Sequence, residues 1–219
     1  ADRMFILVRT LPDSNRHNGL SLVLIDMKDP GIKINPIKNI SGSSSFNEIV
    51  LNNVKTSSKN VVGKLHEGWM VALDLLNFER SGIDYIGWGE RCLDDIEDYC
   101  KKNSIIENES IISNLSSLRA SLESAKIMTY RALWIKTQNE EINMEPSMSK
   151  ILATEINIKI HDFAFNLLSK KVTIMDDSSD AFYKRILKNR LFFVSGGILG
   201  GTTEIQKNII AQRGLGLPR

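Results

Sequence analysis

Two different hydrophobic patterns divide the chain. Up to about residue 62, short runs rich in Ile, Val, Leu and Phe alternate with turn-forming residues, as the strands of antiparallel sheets do. From Glu67 onward, apolar residues recur every three or four positions, which is the period of amphipathic helices. The pattern predicts an α+β protein, with a partial antiparallel β-domain at residues 1–62 and an up-and-down helical bundle at residues 63–219.

Four strands are predicted in the first part, at residues 4–8, 20–26, 31–37 and 46–51. Four short strands with open edges rarely make a complete sheet, so we expect further strands upstream. The chain also begins Ala1-Asp2-Arg3 rather than with Met, and we expect it to be the later part of a longer protein.

In the helical part, one helix is expected to begin after Glu145 and another to run from Thr203 to about Arg213, with Gly214 as its cap. A break is predicted at residues 176–179, and the glycines at 196, 197, 200 and 201 predict a flexible loop. The apolar face predicted for the helix after Glu145 consists of Met148, Ile151, Leu152, Ile156, Phe163 and Leu167.

Composition narrows the class of protein. The formal net charge of +2 and the absence of a Lys/Arg-rich block argue against a nucleic-acid partner, and no apolar run is long enough to span a membrane. Cys92 and Cys100 lie on one predicted helix, separated by about 12 Å of helical rise, which is too far for a disulfide. We therefore expect a bacterial cytoplasmic protein in a reducing compartment.

Glu79 is the first candidate for chemistry. It lies three residues after Leu76 and four before Ile83, inside the apolar stripe of its predicted helix. Burying a carboxylate on an apolar face costs free energy, so such a group usually forms an ion pair or has a functional role. One interpretation is an ion pair with Arg80 or a place at a polar seam. The other is a general base whose pKa is raised by apolar surroundings.

The second candidate is the run of residues 200–206, Gly-Gly-Thr-Thr-Glu-Ile-Gln. Glycines before a helix start leave backbone N–H groups free where the helix dipole is positive, so they could hold a phosphate, a carbonyl oxygen or a flavin edge. An ordinary turn and N-cap would produce the same pattern. The histidines at positions 17, 66 and 161 have no partners at metal-ligand spacing, so no metal site is predicted.

Three stretches together resemble the acyl-CoA dehydrogenase family. Residues 46–54 and 60–63 are similar to the last strand of its middle β-domain and the exit into its helical domain. Residues 67–72 and 78–80 resemble its first long C-terminal helix. Residues 200–213, Gly-Gly-Thr-Thr-Glu-Ile-Gln-Lys-Asn-Ile-Ile-Ala-Gln-Arg, resemble its specific C-terminal signature. The resemblance implies the second half of the middle β-domain followed by the C-terminal helical domain.

This resemblance also implies a reaction. Family members bind FAD and convert an acyl-CoA thioester to the trans-2-enoyl-CoA, with a glutamate taking the α-proton and the flavin taking the hydride. Electron-transferring flavoprotein is the expected electron acceptor, and a homodimer or tetramer, possibly heteromeric, is the expected assembly. The acyl group, whether fatty, branched or steroid, stays open.

Site residues follow by position within these motifs. The family places its glutamate either just before the Gly-Thr of the C-terminal signature or on the first long helix; here the first position is Gly200 and the second is Glu79. The resemblance therefore favours Glu79 as the base. The substrate-binding residues it implies are Arg80, with a salt-bridge role equally open, and Gly200 and Gly201. The flavin-binding residues it implies are Thr202, Thr203 and Glu204.

Two segments depart from the family. Many members carry Arg-x-x-Phe-Gly where residues 102–106 read Lys-Asn-Ser-Ile-Ile, and a glycine-rich turn where residues 168–171 read Leu-Ser-Lys-Lys. Both segments contact FAD across subunits in relatives. The departures keep two alternatives open: a non-catalytic partner subunit of a heteromeric acyl-CoA dehydrogenase, and an acyl-CoA oxidase or flavin monooxygenase of the same fold.

We predict that these 219 residues alone bind FAD poorly or not at all, because the resemblance places the strands that hold the isoalloxazine ring upstream of them. The measurement is the visible flavin absorbance of the purified 219-residue chain. Flavin that co-purifies in stoichiometric amount would contradict the prediction.

Overall fold

The computed structural model describes residues 1–79, 82–138, 143–173 and 180–218, with the side chains of residues 77–79 and 170–173 outside the description. Its internal contacts divide the chain into a first unit, Ala1–Glu79, and a second unit, Arg80–Arg219. The predicted domain boundary between residues 62 and 63 stays a prediction. The predicted break at residues 176–179 lies outside the described residues.

The first unit contains the predicted strands. Strands β1 (Arg3–Arg9) and β2 (Leu20–Asp26) pair antiparallel, and β3 (Ile32–Ile37) pairs antiparallel with β4 (Phe46–Leu51). A short strand that the sequence did not predict, β5 (Val61–Val62), pairs with β2, so the first sheet has the order β1-β2-β5. The α+β class and the antiparallel pairing are confirmed.

Helix α1 (Gly68–Glu79) completes the first unit and packs against β2. The ring of Trp69, near its start, stacks on His17 at 4.0 Å between ring centroids. Strand β2 lies in the middle of its sheet and supplies the buried apolar side chains of this unit, Leu22, Val23 and Ile25.

The second unit is the predicted helical bundle. Its long helices are α2 (Ile83–Lys102), α3 (Glu109–Thr137), α4 (Glu145–Thr173) and α5 (Ala181–Phe193). Two of the starts are capped by side chains, since Asn108 accepts from the N–H groups of Ser110 and Ile111, and Asp180 accepts from that of Phe182. N–H groups in the first turns of α3 and α5 are therefore satisfied locally.

The core of the bundle forms where α2, α3 and α4 meet. Among its fully buried side chains are Leu93 and Ile96 of α2, Leu122 of α3 and Ile160 of α4. Ion pairs surround this core: Arg119 with Glu97, Lys126 with Glu90, Arg185 with Asp95, and Arg190 with Asp162. Cys92 and Cys100 are both free and buried on α2. Within the described ranges, we find no helix long and apolar enough to cross a membrane.

Two helix predictions need correction. Leu152, placed on the apolar face of α4, is 40% exposed, and the buried apolar positions are Ala153, Ile156, Ile160, Ala164 and Leu168. The last helix, α6 (Thr203–Ile209), passes into a π-helical turn at Ile210–Gly214 rather than ending in a left-handed cap. Gly214 closely approaches Met144, and the positive φ falls at Gly216 instead.

Substitutions at Gly87 and at Gly89 of α2 are expected to have opposite effects on the stability of the protein. A methyl group at Gly87 would meet nothing within 4 Å, whereas one at Gly89 would lie 2.9 Å from Leu122 Cδ1. We expect Gly87→Ala to raise the free energy of unfolding by about 0.5–1 kcal/mol through helix propensity. We expect Gly89→Val to lower it by about 1–3 kcal/mol through overpacking. Urea unfolding of the two variants checks this, and equal shifts would contradict the packing described at Gly89.

Candidate functional site

A glycine loop, defined as residues 194–202, connects α5 to α6 and contains the glycines of the predicted site. Gly200 and Gly201 have φ values of +66° and +92°, in the left-handed region where glycine is favoured. Thr202 follows as the N-cap of α6, and its hydroxyl accepts from the N–H of Ile205. The sequence prediction of a helix start with an N-cap is thus confirmed in detail.

Backbone N–H groups at the end of this loop are free within the described part of the chain. Those of Ile198 and Leu199 donate to Ser195 O, and that of Thr203 donates to Gly197 O. The N–H groups of residues 200–202 find no acceptor among the described residues. Three consecutive free donors next to a helix start can bind an oxyanion or a carbonyl oxygen that gains negative charge.

Exposed apolar residues lie near these donors in the sequence. Val194, Ile198 and Ile205 are all at least half exposed. Gly200 is exposed and carries no side chain, and a methyl group there would have Lys150 Cε at 4.0 Å as its nearest neighbour. This part of the chain therefore carries both free polar donors and exposed apolar side chains, and the position of Gly200 is open.

Thr203 and Glu204 begin α6. The N–H and the hydroxyl of Thr203 both donate to Gly197 O, which closes the loop onto the helix. Glu204 is exposed, and its pKa is lowered by hydrogen bonds from its own N–H and from the Thr202 hydroxyl and by the nearby cations Lys207 and Lys150. An ionised carboxylate in the first turn also suits the helix dipole.

Glu79 and Arg80 belong to the other end of the predicted site. Glu79 is the last residue of α1, whereas Ile83 begins α2 after Gly82. The prediction of one helical stripe through Leu76, Glu79 and Ile83 is therefore wrong. The side chain of Glu79 lies outside the description. Arg80 lies outside the described residues. The roles proposed for these two residues therefore rest on their positions in the sequence.

Sequence reasoning missed a row of buried polar residues on α4. Lys150, Thr154, Asn157 and His161 follow one another at spacings of four, three and four and are all fully buried or nearly so. We call these residues the polar stripe of α4. Lys150 Nζ donates to Gly196 O at 3.1 Å, and Asn157 Nδ2 donates to Tyr85 O at 2.7 Å. The helical spacing of the four polar residues is the signal that could have revealed them.

His161, predicted to be structural or exposed, is buried. Its Nδ1 lies 2.8 Å from the carbonyl of Asn157, which can only accept, so Nδ1 carries the proton. Its ring stacks on Phe193 at 4.4 Å, and Nε2 meets no partner in the described part of the chain. Burial lowers the pKa of this ring to about 4, against a raising effect of the Asn157 carbonyl. The ring is therefore neutral at pH 7.

Another cleft lies between α2 and α5 and contains none of the predicted site residues. It encloses about 330 Å³ and is lined by Trp88, Arg91, Cys92, Asp95 and Arg185, among others. Asp95 pairs with both arginines, at 3.3 Å and 2.7 Å. Burial raises the pKa of the Cys92 thiol to about 12, which makes this cysteine a poor nucleophile. Among described residues, no cluster of three or more His, Cys, Asp or Glu could hold a metal ion.

The two segments that depart from the family motifs have definite structures where they are described. Residues 102–106 end α2, with Asn103 as its C-cap and Ser104 at a φ of +55°. At residues 168–171, where a glycine-rich turn was expected in relatives, α4 continues as a helix to Thr173. The absence of glycine there agrees with an uninterrupted helix.

The comparisons with known proteins agree with this architecture. The family model described as "Acyl-CoA dehydrogenase, C-terminal domain" matches residues 66–215, so the chain belongs to the acyl-CoA dehydrogenase family. Acyl-CoA dehydrogenase IpdE1 of Mycobacterium tuberculosis is 31% identical over 218 residues, covering 98% of this chain and 55% of that protein. IpdE1 of Mycolicibacterium smegmatis is 30% identical, covering 98% and 53%. The chain thus spans about half the length of these relatives.

Solved structures share the fold of the entire chain. The Tcur3481-Tcur3483 steroid ACAD superposes with a TM-score of 0.90 at 22% identity, covering 100% of this chain and 57% of that one. The ChsE4-ChsE5 complex from Mycobacterium tuberculosis gives 0.86 at 23% identity, covering 100% and 58%. At these identities the structures show the fold alone, a partial β-domain followed by the helical domain.

The buried His161 predicts a pH dependence of stability. Its folded pKa of about 4 lies below the ordinary value of 6.5, so the unfolded chain takes up the proton first as the pH falls. The stabilisation is present above pH 6.5 and is lost between pH 6.5 and 4. Linkage gives a loss of about 2 kcal/mol between pH 7 and 5. The free energy of unfolding, measured with urea at pH 7 and pH 5, should therefore fall by about 2 kcal/mol less in His161→Gln than in the parent protein. Equal losses in the two proteins would contradict the assignment.

Proposed function

We propose that the full-length protein to which this chain belongs catalyses the FAD-dependent α,β-dehydrogenation of an acyl-CoA thioester to the trans-2-enoyl-CoA. Family membership supports an oxidoreductase of this class. The observation that carries the proposal is the turn at residues 200–202, whose three N–H groups find no acceptor among the described residues, in a part of the chain where Ile198 and Ile205 are exposed. Such a turn suits a thioester carbonyl attached to an apolar acyl chain.

The chemical difficulty of this reaction is the weak acidity of the α-carbon. When the α-proton leaves, negative charge develops on the thioester carbonyl oxygen, and donors aimed at that oxygen lower the barrier. In the proposal, the N–H groups of Gly200 and Gly201 donate to it. Neither residue has a side chain that would obstruct the oxygen or compete for the donors.

Glu79 is the proposed base. Its carboxylate would take the α-proton as the carbon–hydrogen bond breaks and the electron pair moves toward the carbonyl. The support is indirect: the signature position where relatives could carry the glutamate is Gly200 here, so the helix position holds the remaining carboxylate. Arg80 is proposed to bind the CoA part of the substrate, where its guanidinium would suit a phosphate.

Residues at the start of α6 fit a flavin edge. Thr202 and Thr203 directly follow the glycines of the turn, their hydroxyl groups hold the start of α6 in place, and Glu204 is exposed next to them in the sequence. These three residues would hold the polar edge of the ring, and the exposed Ile205 offers it an apolar contact. When bound, FAD would supply the oxidant that accepts the β-hydrogen with its electron pair. Excluding water from this surface would strengthen every hydrogen bond to the substrate.

The partners proposed are electron-transferring flavoprotein as electron acceptor and further subunits of the same fold. Solved relatives carry names of two-component assemblies, Tcur3481-Tcur3483 and ChsE4-ChsE5, which supports a dimer or tetramer that is possibly heteromeric. The first of these is called a steroid ACAD, so a steroid side-chain thioester stands beside fatty and branched thioesters as a substrate class.

A second candidate function is that of a non-catalytic partner subunit in a heteromeric acyl-CoA dehydrogenase. The observation that favours it is the continuous helix at residues 168–171, which replaces a turn expected to contact FAD. Glu79 argues against it, because a non-catalytic subunit needs no base. An oxidase of the same fold is the remaining alternative, and oxygen consumption during turnover distinguishes it from a dehydrogenase.

Replacing Glu79 tests the proposal. We expect Glu79→Gln in the full-length protein to lower turnover of acyl-CoA by at least about a hundredfold, because the amide cannot accept the α-proton, a loss typical of a missing general base. Turnover is measured with an artificial electron acceptor, so the result does not depend on the physiological one.

Asp74→Asn is the matched control, since Asp74 is an exposed carboxylate on the same helix. It should retain the activity of the parent protein. Unchanged turnover in Glu79→Gln, with FAD bound, would remove Glu79 as the base. If the parent protein is inactive alone but activates a second subunit regardless of residue 79, the partner-subunit function is the correct one.

A further inference from the structure

Two buried polar side chains hold the glycine loop from the protein interior. Lys150 of α4 donates from Nζ to Gly196 O at 3.1 Å, and Gln206 of α6 donates from Nε2 to Gly200 O at 3.0 Å. Lys150 is 4% exposed and Gln206 is fully buried. The loop is therefore fixed at two of its carbonyls by side chains that come from two different helices.

Burial of these groups is costly and calls for a reason. An ammonium group loses hydration when it is buried, and burial lowers the pKa of Lys150 against the raising effects of Glu204 and Glu155. Gln206 has its Oε1 buried without a partner among the described residues. Neither residue adds to the apolar core, so the hydrogen bonds that they donate to the loop have to offset the free energy lost on burying them.

Peptide geometry shows what the contact from Gln206 achieves. The carbonyl of Gly200 and the N–H of Gly201 belong to the same trans peptide group and point in opposite directions. Because Gln206 holds the carbonyl toward the interior, the N–H is directed away from it. Gly201 is needed for this contact, since a methyl group there would lie 2.5 Å from Gln206 Nε2.

Lys150 also lies close to this turn. Its Nζ fixes Gly196, and its Cε lies 4.0 Å from the place where a methyl group on Gly200 would be. The ammonium group is bonded to this Cε, so its positive charge lies near Gly200. It would favour negative charge on any oxygen that the free N–H groups of the turn bind, and it does so without touching the ligand.

We propose that Lys150 and Gln206 are positioning residues that hold the turn at residues 200–202 with its N–H groups directed at the thioester carbonyl. The inference rests on the proposed function, since it concerns the same turn. It gives a role to Lys150, which lies outside the C-terminal signature, and to Gln206, a position of that signature to which no role was assigned. Their effect should appear in the stabilisation of the enolate more than in the binding of the ground state.

Titration of a bound 3-oxoacyl-CoA tests this directly. Its α-proton is acidic, so the ultraviolet absorbance of the bound enolate gives an apparent pKa without turnover. In the full-length FAD-loaded protein, we expect Lys150→Met and Gln206→Met each to raise this pKa by about one unit, a tenfold loss of enolate stabilisation. Turnover (kcat) of a saturated acyl-CoA should fall about tenfold, with KM changed by less than about twofold.

Two further variants make the result specific. Lys159→Met removes an exposed lysine of the same helix and should leave the enolate pKa and kcat at the parent values. Lys150→Arg keeps a charged donor and should recover part of the loss. A role confined to fold stability would lower the melting temperature or the FAD content of the variants but would leave the enolate pKa of the folded fraction unchanged.

The inference is overturned if folded, FAD-loaded Lys150→Met and Gln206→Met titrate the bound ligand as the parent protein does. Should Lys150→Met fail to fold, Gln206→Met decides by the same criterion. A parent protein that neither oxidises acyl-CoA nor enolises the bound 3-oxoacyl-CoA would overturn the proposed function itself, and this inference with it.

Discussion

Helix α4 packs against apolar side chains on one face and makes polar contacts on the adjacent face, and the structure of the second unit depends on both. One face buries Ala153, Ile160 and Ala164 in the apolar core with α2 and α3. The adjacent face, the polar stripe of α4, makes hydrogen bonds to the start of α2 and to the glycine loop and stacks on the last residue of α5. The apolar face gives the bundle its stability through buried area. The polar stripe provides direction, because a buried polar group is tolerated only where it finds a partner in a defined place.

The orientation of the peptide groups matters most in the glycine loop, because no strand or helix ladder fixes them there. The carbonyl of Gly200, held inward by Gln206, leaves the N–H of Gly201 facing away, while Lys150 fixes the loop a few residues earlier, at Gly196. The N-cap at Thr202 then begins α6 directly after the free donors. A surface made of backbone donors is thereby prepared before any ligand arrives, which is what electrostatic stabilisation of a developing charge requires.

The sequence predicted much of this and missed the part that depends on tertiary contacts. Strand period and turn residues located β1 to β4, while β5 escaped because two residues are too few for a period. The start of α6 followed from Gly-Gly-Thr, a local signal. The stripe on α4 was not predicted, and the apolar face predicted for that helix included Leu152, which is 40% exposed. Lys150 is hydrogen-bonded to Gly196, 46 residues later, and Asn157 to Tyr85, 72 residues earlier, and no local pattern contains that information.

The conformation of Gly200 bears on where the base of the reaction is placed. There is room for a side chain at this position, since the nearest atom to an added methyl group is Lys150 Cε at 4.0 Å. The obstacle is the backbone: at a φ of +66°, a residue with a Cβ would cost about 1–2 kcal/mol. A glutamate at 200 would therefore strain the turn that presents the N–H groups. The backbone conformation and the glycine at 200 therefore agree: the turn is relaxed because the residue that closes it has no Cβ.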